Sequence, residues 1–324
     1  MEAFRWAFIG AGTLGKQVAK EITDSGRHRI VSVYVRDRKK RIEFADQYTA
    51  FAADCAKEAI DREDVDGVYI CTPNTSHHEY SLLALELGKP VLCEKPATTD
   101  SKLLKEMIDL SRKKNVYFAE AMWTWFSPIA NKVKEWFDAG EYGKLKMVDL
   151  NYHLKSINYA PRCSDPMLAG GALLDVTVYP LTYAFRLLGK PESILCKGTL
   201  KDGIDTKEDI ILTYPDGFVC NVSASIVDMK GLEKLLIEGD QAKTKLMFFH
   251  GANQVKLKRK NGKSETFKGD GGMLNEFDIV ADEIRRGLKE SEYVPHSATL
   301  SVMEMMDECR KQMGLVFPFE NKTG

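Results

Sequence analysis

The segment WAFIGAGTLGKQVAKEI, residues 6–22, decides the fold of the first part of this chain. It carries the pattern GxGxxG at Gly10, Gly12 and Gly15, directly after an apolar run that predicts a strand and directly before a helical pattern. There the first glycine permits a tight turn, the second lets the backbone approach a pyrophosphate, and the third allows close helix-to-strand packing. The N-terminus of the helix adds N–H groups that attract the anion. The segment therefore predicts a dinucleotide-binding unit.

Short apolar runs alternate with helical patterns from this segment to about residue 119. Such alternation predicts a parallel sheet with crossover helices on both faces. We therefore predict an α/β fold class with an N-terminal Rossmann domain, a doubly wound parallel sheet, over residues 1–122. The predicted strands are Phe4–Ile9, Ile30–Val35, Val68–Cys71, Val91–Cys93 and Val116–Ala119.

From residue 123 the pattern changes, and residues 123–324 predict a C-terminal α+β domain with a large, mostly antiparallel sheet. About six strands are expected between Ser193 and Phe267, separated by turn signals such as TYPDGF and RKNGKS. The other predicted elements are a helix over Ile129–Ala139, a strand near Met147–Leu154, a helical segment around Leu173–Leu188, and closing helices over Asn275–Gly287 and Ala298–Met313.

Composition and charge narrow the class of partner. The 46 basic and 47 acidic residues of the 324 are interleaved, so nothing in the charge pattern indicates nucleic acid or an anionic membrane surface. The seven cysteines form no CxxC pair and no zinc-ligand spacing, which indicates reduced thiols and no metal site. A signal peptide and an 18-residue apolar run are both absent, so we expect a cytoplasmic protein with a small-molecule partner and no membrane span.

The run VYVRDRKKR, residues 33–41, bears on the choice between NAD and NADP. An acidic residue at the end of the second Rossmann strand binds the ribose 2′-hydroxyl and repels a 2′-phosphate. If Val35 takes that position, Arg36 can lay its guanidinium on the phosphate or adenine, with Arg38 nearby. This favours NADP(H) over NAD(H). Asp37 is the alternative ribose ligand if the strand ends later, and a basic run is also commonly just a solvated face.

Three further motifs carry a family resemblance: CTPNTSHH at 71–78, CEKPATTD at 93–100 and AGGALLDVTVYP at 169–180. Together with GAGTLG they resemble the Gfo/Idh/MocA family of oxidoreductases. Within it, EAMWTWF at 120–126 and GGALLDVTVY look most like the dimeric dihydrodiol dehydrogenases, which are NADP-dependent. The resemblance implies an enzyme that transfers hydride between nicotinamide and a sugar, polyol, trans-diol or related carbonyl compound.

The resemblance also implies site residues. In the family, the lysine of the EKP motif lies near the nicotinamide, and an aspartate followed four residues later by a histidine faces it from the second domain. Lys95 and Asp175 match this pattern, whereas Tyr179 occupies the histidine position, as in the dihydrodiol subgroup. The subgroup also implies an arginine where this chain has Trp125, which indicates a different substrate specificity.

The chemistry gives these residues hypothetical roles. Oxidising a secondary alcohol requires removal of its hydroxyl proton while hydride passes to the nicotinamide. A tyrosine, with an ordinary pKa of about 10, becomes a better base beside an ammonium group. We therefore interpret Tyr179 as the general acid/base, Lys95 as its activator or as a ligand of the substrate oxygen, and Asp175 as an orienting group. Four residues apart on a helix, Asp175 and Tyr179 share a face, although such a pair is often only structural.

Other positions are weaker candidates. Glu94 beside Lys95 is either part of the site or a salt-bridged surface pair, and His77 has a capping or solvent role as its alternative. Trp123, Trp125 and Phe126 either wall a substrate pocket or pack in the core, and Arg162 either binds substrate or pairs with an acid. The remaining predicted cofactor contacts are Thr13, Leu14, Cys71, Thr72, Pro73 and Asn74.

Two other functions stay open at this point. One is a non-catalytic sensor that binds the dinucleotide, because a Rossmann fold alone does not establish catalysis. The other is an intramolecular redox enzyme with a tightly held cofactor. In the alternating run Phe218–Ile226, one face of the sheet is expected to be buried and the other to meet water or a partner. The antiparallel strands have a partly apolar outer face, which together with the family resemblance predicts a homodimer formed through the C-terminal sheet, with a tetramer as the alternative.

Overall fold

A computed structural model describes residues 2–157 and 161–320 of the chain. The chain forms two compact units: unit 1 is Met1–Phe126 with Gly272–Thr299, and unit 2 is Ser127–Gly271 with Leu300–Gly324. The sequence predicted one boundary, with domains over 1–122 and 123–324, and thus missed the return of residues 272–299 to unit 1.

The physical reason for this return is an aromatic contact that no local pattern reveals. The ring of Phe277 lies 5.2 Å from that of Trp6 and 5.0 Å from that of Tyr69, edge to face in both cases. Phe277 is completely buried, so the helix that bears it completes the core of unit 1.

Unit 1 is built on a six-stranded sheet with the order β3-β2-β1-β4-β5-β6, and every pairing in it is parallel. This confirms the predicted doubly wound sheet. The sequence missed only the two-residue strand β3, which is too short to show periodicity. The strands are β1 Phe4–Ile9, β2 His28–Tyr34, β3 Phe51–Ala52, β4 Gly67–Ile70, β5 Val91–Glu94 and β6 Phe118–Ala121.

Helices cover the sheet of unit 1 and pack their apolar faces against it. Helix α1, for example, buries Val18, Ala19 and Ile22 along one face. The chain reverses its direction of winding between β1 and β4, and in such sheets ligands bind at the carboxyl ends of the strands beside this point. The helices are α1 Thr13–Asp24, α2 Arg38–Tyr48, α3 Ala56–Ile60, α4 His77–Glu86, α5 Ser101–Lys114, α6 Trp123–Phe126 and α9 Leu274–Arg285.

Unit 2 is built on an eight-stranded sheet with the order β14-β13-β12-β11-β7-β10-β9-β8. Among the described strands of this sheet, the β7–β10 pair is parallel and the other six pairs are antiparallel, so the prediction of a large, mostly antiparallel sheet is confirmed. In the part of the chain that the structure describes, seven strands lie between residues 193 and 268, where about six were expected. The strands are β7 Leu145–His153, β8 Ser193–Lys201, β9 Ile204–Thr213, β10 Val219–Ser225, β11 Glu233–Gly239, β12 Ala242–Met247, β13 Gln254–Arg259 and β14 Ser264–Lys268.

The core of unit 2 lies on one face of this sheet. Buried and more exposed side chains alternate along strand β7, where Val148, Leu150 and Tyr152 are buried. The helix that ends at Leu188 packs in the same core. The stretch Pro166–Leu188 is long and apolar enough to cross a membrane by length and composition, but 89% of its most apolar window is buried, as in a core helix. The remaining α-helices are α7 Pro128–Asp138, α8 Val178–Leu188 and α10 His296–Met313.

Candidate active site

Unit 1 contains a cleft of about 630 Å³ at the carboxyl ends of β1, β2 and β4. Its position is the one that the topology of a doubly wound sheet predicts for a dinucleotide. The cleft is lined by Gly10, Ala11, Gly12, Thr13, Lys16, Tyr34, Val35, Arg36, Asp37, Lys40, Cys71, Thr72, Pro73, Ser76 and Tyr80.

The three motif glycines have distinct geometries. Gly10 has a φ of 111°, and a Cβ there would lie 2.7 Å from the carbonyl oxygen of Cys71. At Gly15 a Cβ would lie 2.9 Å from the Sγ of Cys71, so this glycine allows α1 to approach β4. At Gly12 a Cβ would meet nothing within 4 Å. Packing within the protein therefore does not require a glycine at position 12. The open space beside Gly12 leaves room for a phosphate at the start of α1, as a bound dinucleotide needs.

Asp37 lies after β2, at the end of the cleft where the adenosine of a dinucleotide is expected, which we call the adenosine end. Its Oδ1 accepts a hydrogen bond from the backbone N–H of Lys40 at 3.1 Å, so Asp37 is the N-cap of α2. The Nζ of Lys40 also lies 4.0 Å from Oδ2. The Asp37 carboxylate is therefore partly engaged and lies beside a positive charge, and Arg36 precedes it in the lining of the cleft.

The residues of this lining that sequence reasoning missed include two basic and two aromatic side chains. Lys16 and Lys40 add positive charge, and Tyr34 and Tyr80 form an edge-to-face pair with ring centres 6.3 Å apart. The position of Lys16 directly after GxGxxG was a usable signal, whereas Tyr80 comes from α4 and required the tertiary structure. Several predicted cofactor residues do not line the cleft: Leu14, Gly15, Arg38, Asn74, His77, Glu94 and Lys95.

His77 bridges two strand exits. Its buried ring places Nδ1 2.9 Å from the carbonyl oxygen of Pro96 and Nε2 2.9 Å from that of Thr72. Both ring nitrogens therefore face carbonyl oxygens. The predicted capping or solvent role is therefore wrong, because His77 ties the loop after β4 to the loop after β5.

Glu94 ends strand β5 as a buried group, 6% exposed. The hydroxyl of Tyr69 donates to its Oε1 at 2.5 Å, and the backbone N–H of Lys95 donates to its Oε2 at 3.2 Å. The surface salt-bridge alternative is therefore wrong. Burial, together with the Glu94 charge, raises the pKa of Tyr69 well above its ordinary value, so Tyr69 stays a proton donor to this carboxylate.

Glu120 on β6 is a titratable group that the sequence did not single out. Burial raises its pKa to about 7, against the opposing effects of the Ala97 N–H, Thr299 and Lys95. Its Oε1 accepts from that N–H at 3.1 Å. Glu120 and Lys95 thus interact electrostatically beside the EKP loop.

In unit 2, Asp175 lies in a π-helical turn, Leu173–Thr177, that leads into α8. Isolated turns of this kind occur frequently at functional sites. Arg162 donates from Nη2 to Oδ1 of Asp175 at 2.8 Å, and the Cys163 thiol donates to Oδ2 at 3.1 Å. Arg162 is therefore ion-paired with Asp175, its role toward a substrate stays a prediction, and Cys163 is a partner that sequence reasoning missed.

Tyr179 is buried in an aromatic group of unit 2. The rings of Tyr152, Tyr179 and His250 form what we call the three-ring cluster: Tyr152 lies 5.5 Å from Tyr179 and 5.4 Å from His250, and Tyr179 lies 6.1 Å from His250. Burial, and then the charges of Tyr179, Glu233 and Asp175, raise the pKa of Tyr152 far above its ordinary value. Tyr152 therefore does not fit the role of a base.

The predicted aromatic substrate residues lie on α6. Trp125 and Phe126 are buried, and Phe126 packs on Tyr293 with ring centres 5.8 Å apart within unit 1. For Phe126 this supports the core-packing alternative. Within residues 2–157 and 161–320, no group of three or more histidine, cysteine or acidic side chains is placed to hold a metal ion.

The parallel sheet and its glycine-lined cleft define the class of Rossmann-type dinucleotide-binding proteins. A family model described as the oxidoreductase family with an NAD-binding Rossmann fold matches residues 4–121, and the GFO/IDH/MocA C-terminal domain model matches residues 130–245. The chain therefore belongs to the Gfo/Idh/MocA family and is an oxidoreductase, which confirms the predicted family and enzyme class.

Similar proteins support the same assignment. The chain is 30% identical to trans-1,2-dihydrobenzene-1,2-diol dehydrogenase of Bos taurus, over 98% of both chains. It is 28% identical to D-xylose 1-dehydrogenase (NADP(+)) of Hypocrea jecorina, over 97% of this chain and 93% of that one. A 3-ketoreductase from Actinomadura kijaniata, solved in complex with NADP and TDP-benzene, shares the fold with a TM-score of 0.85 at 19% identity, over 96% of this chain and 98% of that one.

Proposed function

We propose that this oxidoreductase prefers NADP(H) and transfers hydride between the nicotinamide and a secondary hydroxyl or carbonyl group of a sugar, a polyol or a trans-diol. The observation that carries the proposal is the placement of Asp175 and Tyr179 on consecutive helical turns, with both oxygens of Asp175 held by donors. A carboxylate fixed in this way can orient a hydroxyl next to a phenol that exchanges its proton.

The residues of the chain have separate tasks in this proposal. The cofactor, when bound, supplies or accepts the hydride. Tyr179, as phenolate, takes the hydroxyl proton in oxidation and, as phenol, donates that proton to the substrate oxygen in reduction. Lys95 stabilises the negative charge that develops on oxygen in either direction. Arg162 and Cys163 hold the Asp175 carboxylate in place and exclude rotation of its side chain.

The charge at the adenosine end supports NADP(H). Arg36, Lys16 and Lys40 line the same cleft, whereas Asp37, the one acidic residue among the described residues of its lining, caps α2. The lining of the cleft therefore carries more positive than negative charge, which favours an extra phosphate, and the Arg36 guanidinium can bind a phosphate through two parallel hydrogen bonds. The names of two similar proteins point the same way, because one is an NADP(+)-dependent dehydrogenase and another is solved with NADP.

Cofactor binding and turnover test the proposal together. The purified chain is titrated with NADPH and NADH by fluorescence and then assayed with trans-dihydrodiols, aldoses and dicarbonyls. Tighter binding of NADPH with turnover of a vicinally oxygenated substrate is the expected result. Cofactor binding without turnover of any substrate in the panel contradicts the proposed reaction and favours the sensor hypothesis. Cofactor that stays bound to the protein through purification favours the intramolecular redox alternative.

We further propose a homodimer formed through the outer face of the eight-stranded sheet. Leu195 and Ile211 face each other across β8 and β9, and both are exposed, by 50% and 39%. A second copy would cover this apolar pair. Light scattering on the eluting protein should give twice the chain mass for wild type, and Ile211→Lys should shift it toward one chain. A monomeric wild type contradicts the proposal.

We also propose a cytoplasmic location and a small-molecule substrate, with neither nucleic acid nor a membrane as partner. All seven cysteines are free thiols, a state that persists in reducing compartments. Cell fractionation with the tagged chain tests the location, and recovery in a secreted or membrane fraction contradicts it.

A further inference from the structure

Glu233 and His250 form a pair that is joined by two hydrogen bonds. His250 donates to Glu233 twice, from its backbone N–H to Oε1 at 2.6 Å and from ring Nδ1 to Oε2 at 2.5 Å. The Glu233 side chain is 4% exposed, whereas the His250 side chain is 33% exposed. A buried carboxylate therefore fixes an imidazole that remains accessible to solvent.

The pairing determines what the accessible edge of His250 can do. A carboxylate at Nδ1 holds the proton on that nitrogen and sets the orientation of the ring. Nε2, on the opposite edge, then accepts a hydrogen bond in the neutral ring and donates one in the protonated ring. Either form can bind a hydroxyl or carbonyl oxygen.

The local backbone is also held in an unfavourable conformation. His250 lies in a single turn, Phe249–Gly251, and the residue before this turn, Phe248, has a φ of 52°. A bulky residue in the left-handed region is strained, and such residues cluster at functional sites. The backbone N–H of Phe248 donates to the carbonyl oxygen of Glu233 at 3.0 Å, so Glu233 anchors the whole turn.

The position of the pair connects it to the candidate active site. His250 stacks on Tyr152 with an interplanar angle of 23°, and its ring centre lies 6.1 Å from that of Tyr179. Two polar groups on adjacent rings can reach two neighbouring oxygens of one small molecule. Tyr179 is already assigned to the oxygen that reacts.

We infer that His250 is a specificity-determining residue that binds the oxygen adjacent to the reacting carbon, with Glu233 as its positioning residue. The inference rests on the proposed function and names its substrate class: compounds with oxygen on two neighbouring carbons, such as vicinal diols, α-hydroxy ketones and the 1,2-positions of an aldose. A substrate with a single hydroxyl does not use His250.

The test compares substrates that differ only in the neighbouring oxygen. Wild type is assayed with trans-cyclohexane-1,2-diol against cyclohexanol and with D-xylose against 2-deoxy-D-xylose, all with NADP⁺. In His250→Phe, which keeps a ring to stack on Tyr152, the KM of the vicinal substrate should rise about tenfold, the cost of one hydrogen bond. The KM of the analogue and the Kd of NADPH should not change.

Three further variants separate binding from folding. His250→Gln restores a hydrogen-bonding group without the ring and should recover part of the discrimination. Glu233→Gln removes the charge but keeps an acceptor, and should weaken discrimination less than His250→Phe. His78→Phe is the control, because it removes another histidine–glutamate contact, that of His78 with Glu106 on the surface of unit 1.

The outcomes are distinguishable. An unchanged KM ratio between vicinal substrate and analogue in His250→Phe overturns the inference, and so does an equal loss on both substrates, which indicates a structural role. If wild type turns over none of the four compounds, the proposed function itself fails, and this is seen before any variant is made.

Discussion

The cleft of unit 1 and the Asp175–Tyr179 site of unit 2 are built in different ways. The cleft is arranged around local backbone features, namely a glycine turn, a helix N-terminus and two strand exits, which surround one cavity. The site in unit 2 is formed by side chains from a π-helical turn, α8, β7, β11 and single turns of helix. Backbone sites depend on conformations that local sequence specifies, whereas side-chain sites depend on which distant segments pack together. Four predictions test this difference.

The largest expected effect concerns the unit 2 site. Tyr179→Phe removes the hydroxyl assigned to proton transfer and should lower kcat by about 10² to 10⁴, while the Kd of NADPH stays unchanged. Steady-state kinetics and fluorescence titration measure the two quantities. Tyr152→Phe is the matched control, because Tyr152 stays protonated, and it should cost much less. Normal turnover in Tyr179→Phe would show that the acid/base assignment is wrong.

The second prediction concerns Glu120, a buried side chain on β6 of unit 1. The folded pKa of Glu120 is raised from 4.5 to about 7, so the folded state retains a proton that the unfolded chain releases above pH 4.5. The free energy of unfolding should therefore fall as pH rises from about 4.5 to 7, by up to roughly 3 kcal/mol. Glu120→Gln should remove this decline.

Denaturant titrations at several pH values measure the effect of Glu120. Glu106→Gln, at an exposed carboxylate, is the control and should leave the decline in place. If wild type and Glu120→Gln show the same pH dependence, Glu120 is not the group that titrates in this range.

The third prediction separates two glycines of the backbone site. Gly10→Ala places a Cβ 2.7 Å from a carbonyl oxygen at a φ of 111°, and should lower the free energy of unfolding by about 1–3 kcal/mol. Gly12→Ala meets nothing within 4 Å and should leave stability nearly unchanged while weakening NADPH binding. Thermal unfolding and titration distinguish the two. Equal stability losses would mean that the Gly12 position is needed for packing.

The smallest effect is expected at the adenosine end. Arg36→Ala should weaken NADPH binding by about tenfold, the value of one charge-assisted hydrogen bond, and leave NADH binding unchanged. Lys40→Ala should act in the same direction with a smaller effect, because Lys40 also lies near Asp37. Fluorescence titration with both cofactors measures this. A parallel loss for NADPH and NADH would show that Arg36 binds a part common to both.

The sequence predicted the cleft well because its parts follow one another along the chain. Strand, glycine turn and helix occupy residues 4–24, and the motif residues lie where that order requires. Lys40 and Tyr80 were missed, since their contribution depends on how α2 and α4 pack on the sheet. The segment 272–299 was assigned to the wrong unit for the same reason, because its apolar face fits either core until Phe277 meets Trp6 and Tyr69.

In unit 2 the sequence predicted Asp175 and Tyr179 through a family resemblance and their spacing. It predicted neither the Cys163 contact, nor the π-helical turn, nor the Glu233–His250 pair. Residues 233 and 250 belong to different elements, and no periodicity links them.

By itself the sequence determined the Rossmann architecture, the antiparallel second sheet, the family and the reaction class, because periodicity, turn residues and short motifs are local properties of the chain. Only the tertiary structure decided that Asp37 caps a helix, that Glu94 and Glu120 are buried, and that His250 stands beside Tyr179. These features arise from burial and from contacts between distant segments, and their energies depend on neighbours that a linear sequence does not identify.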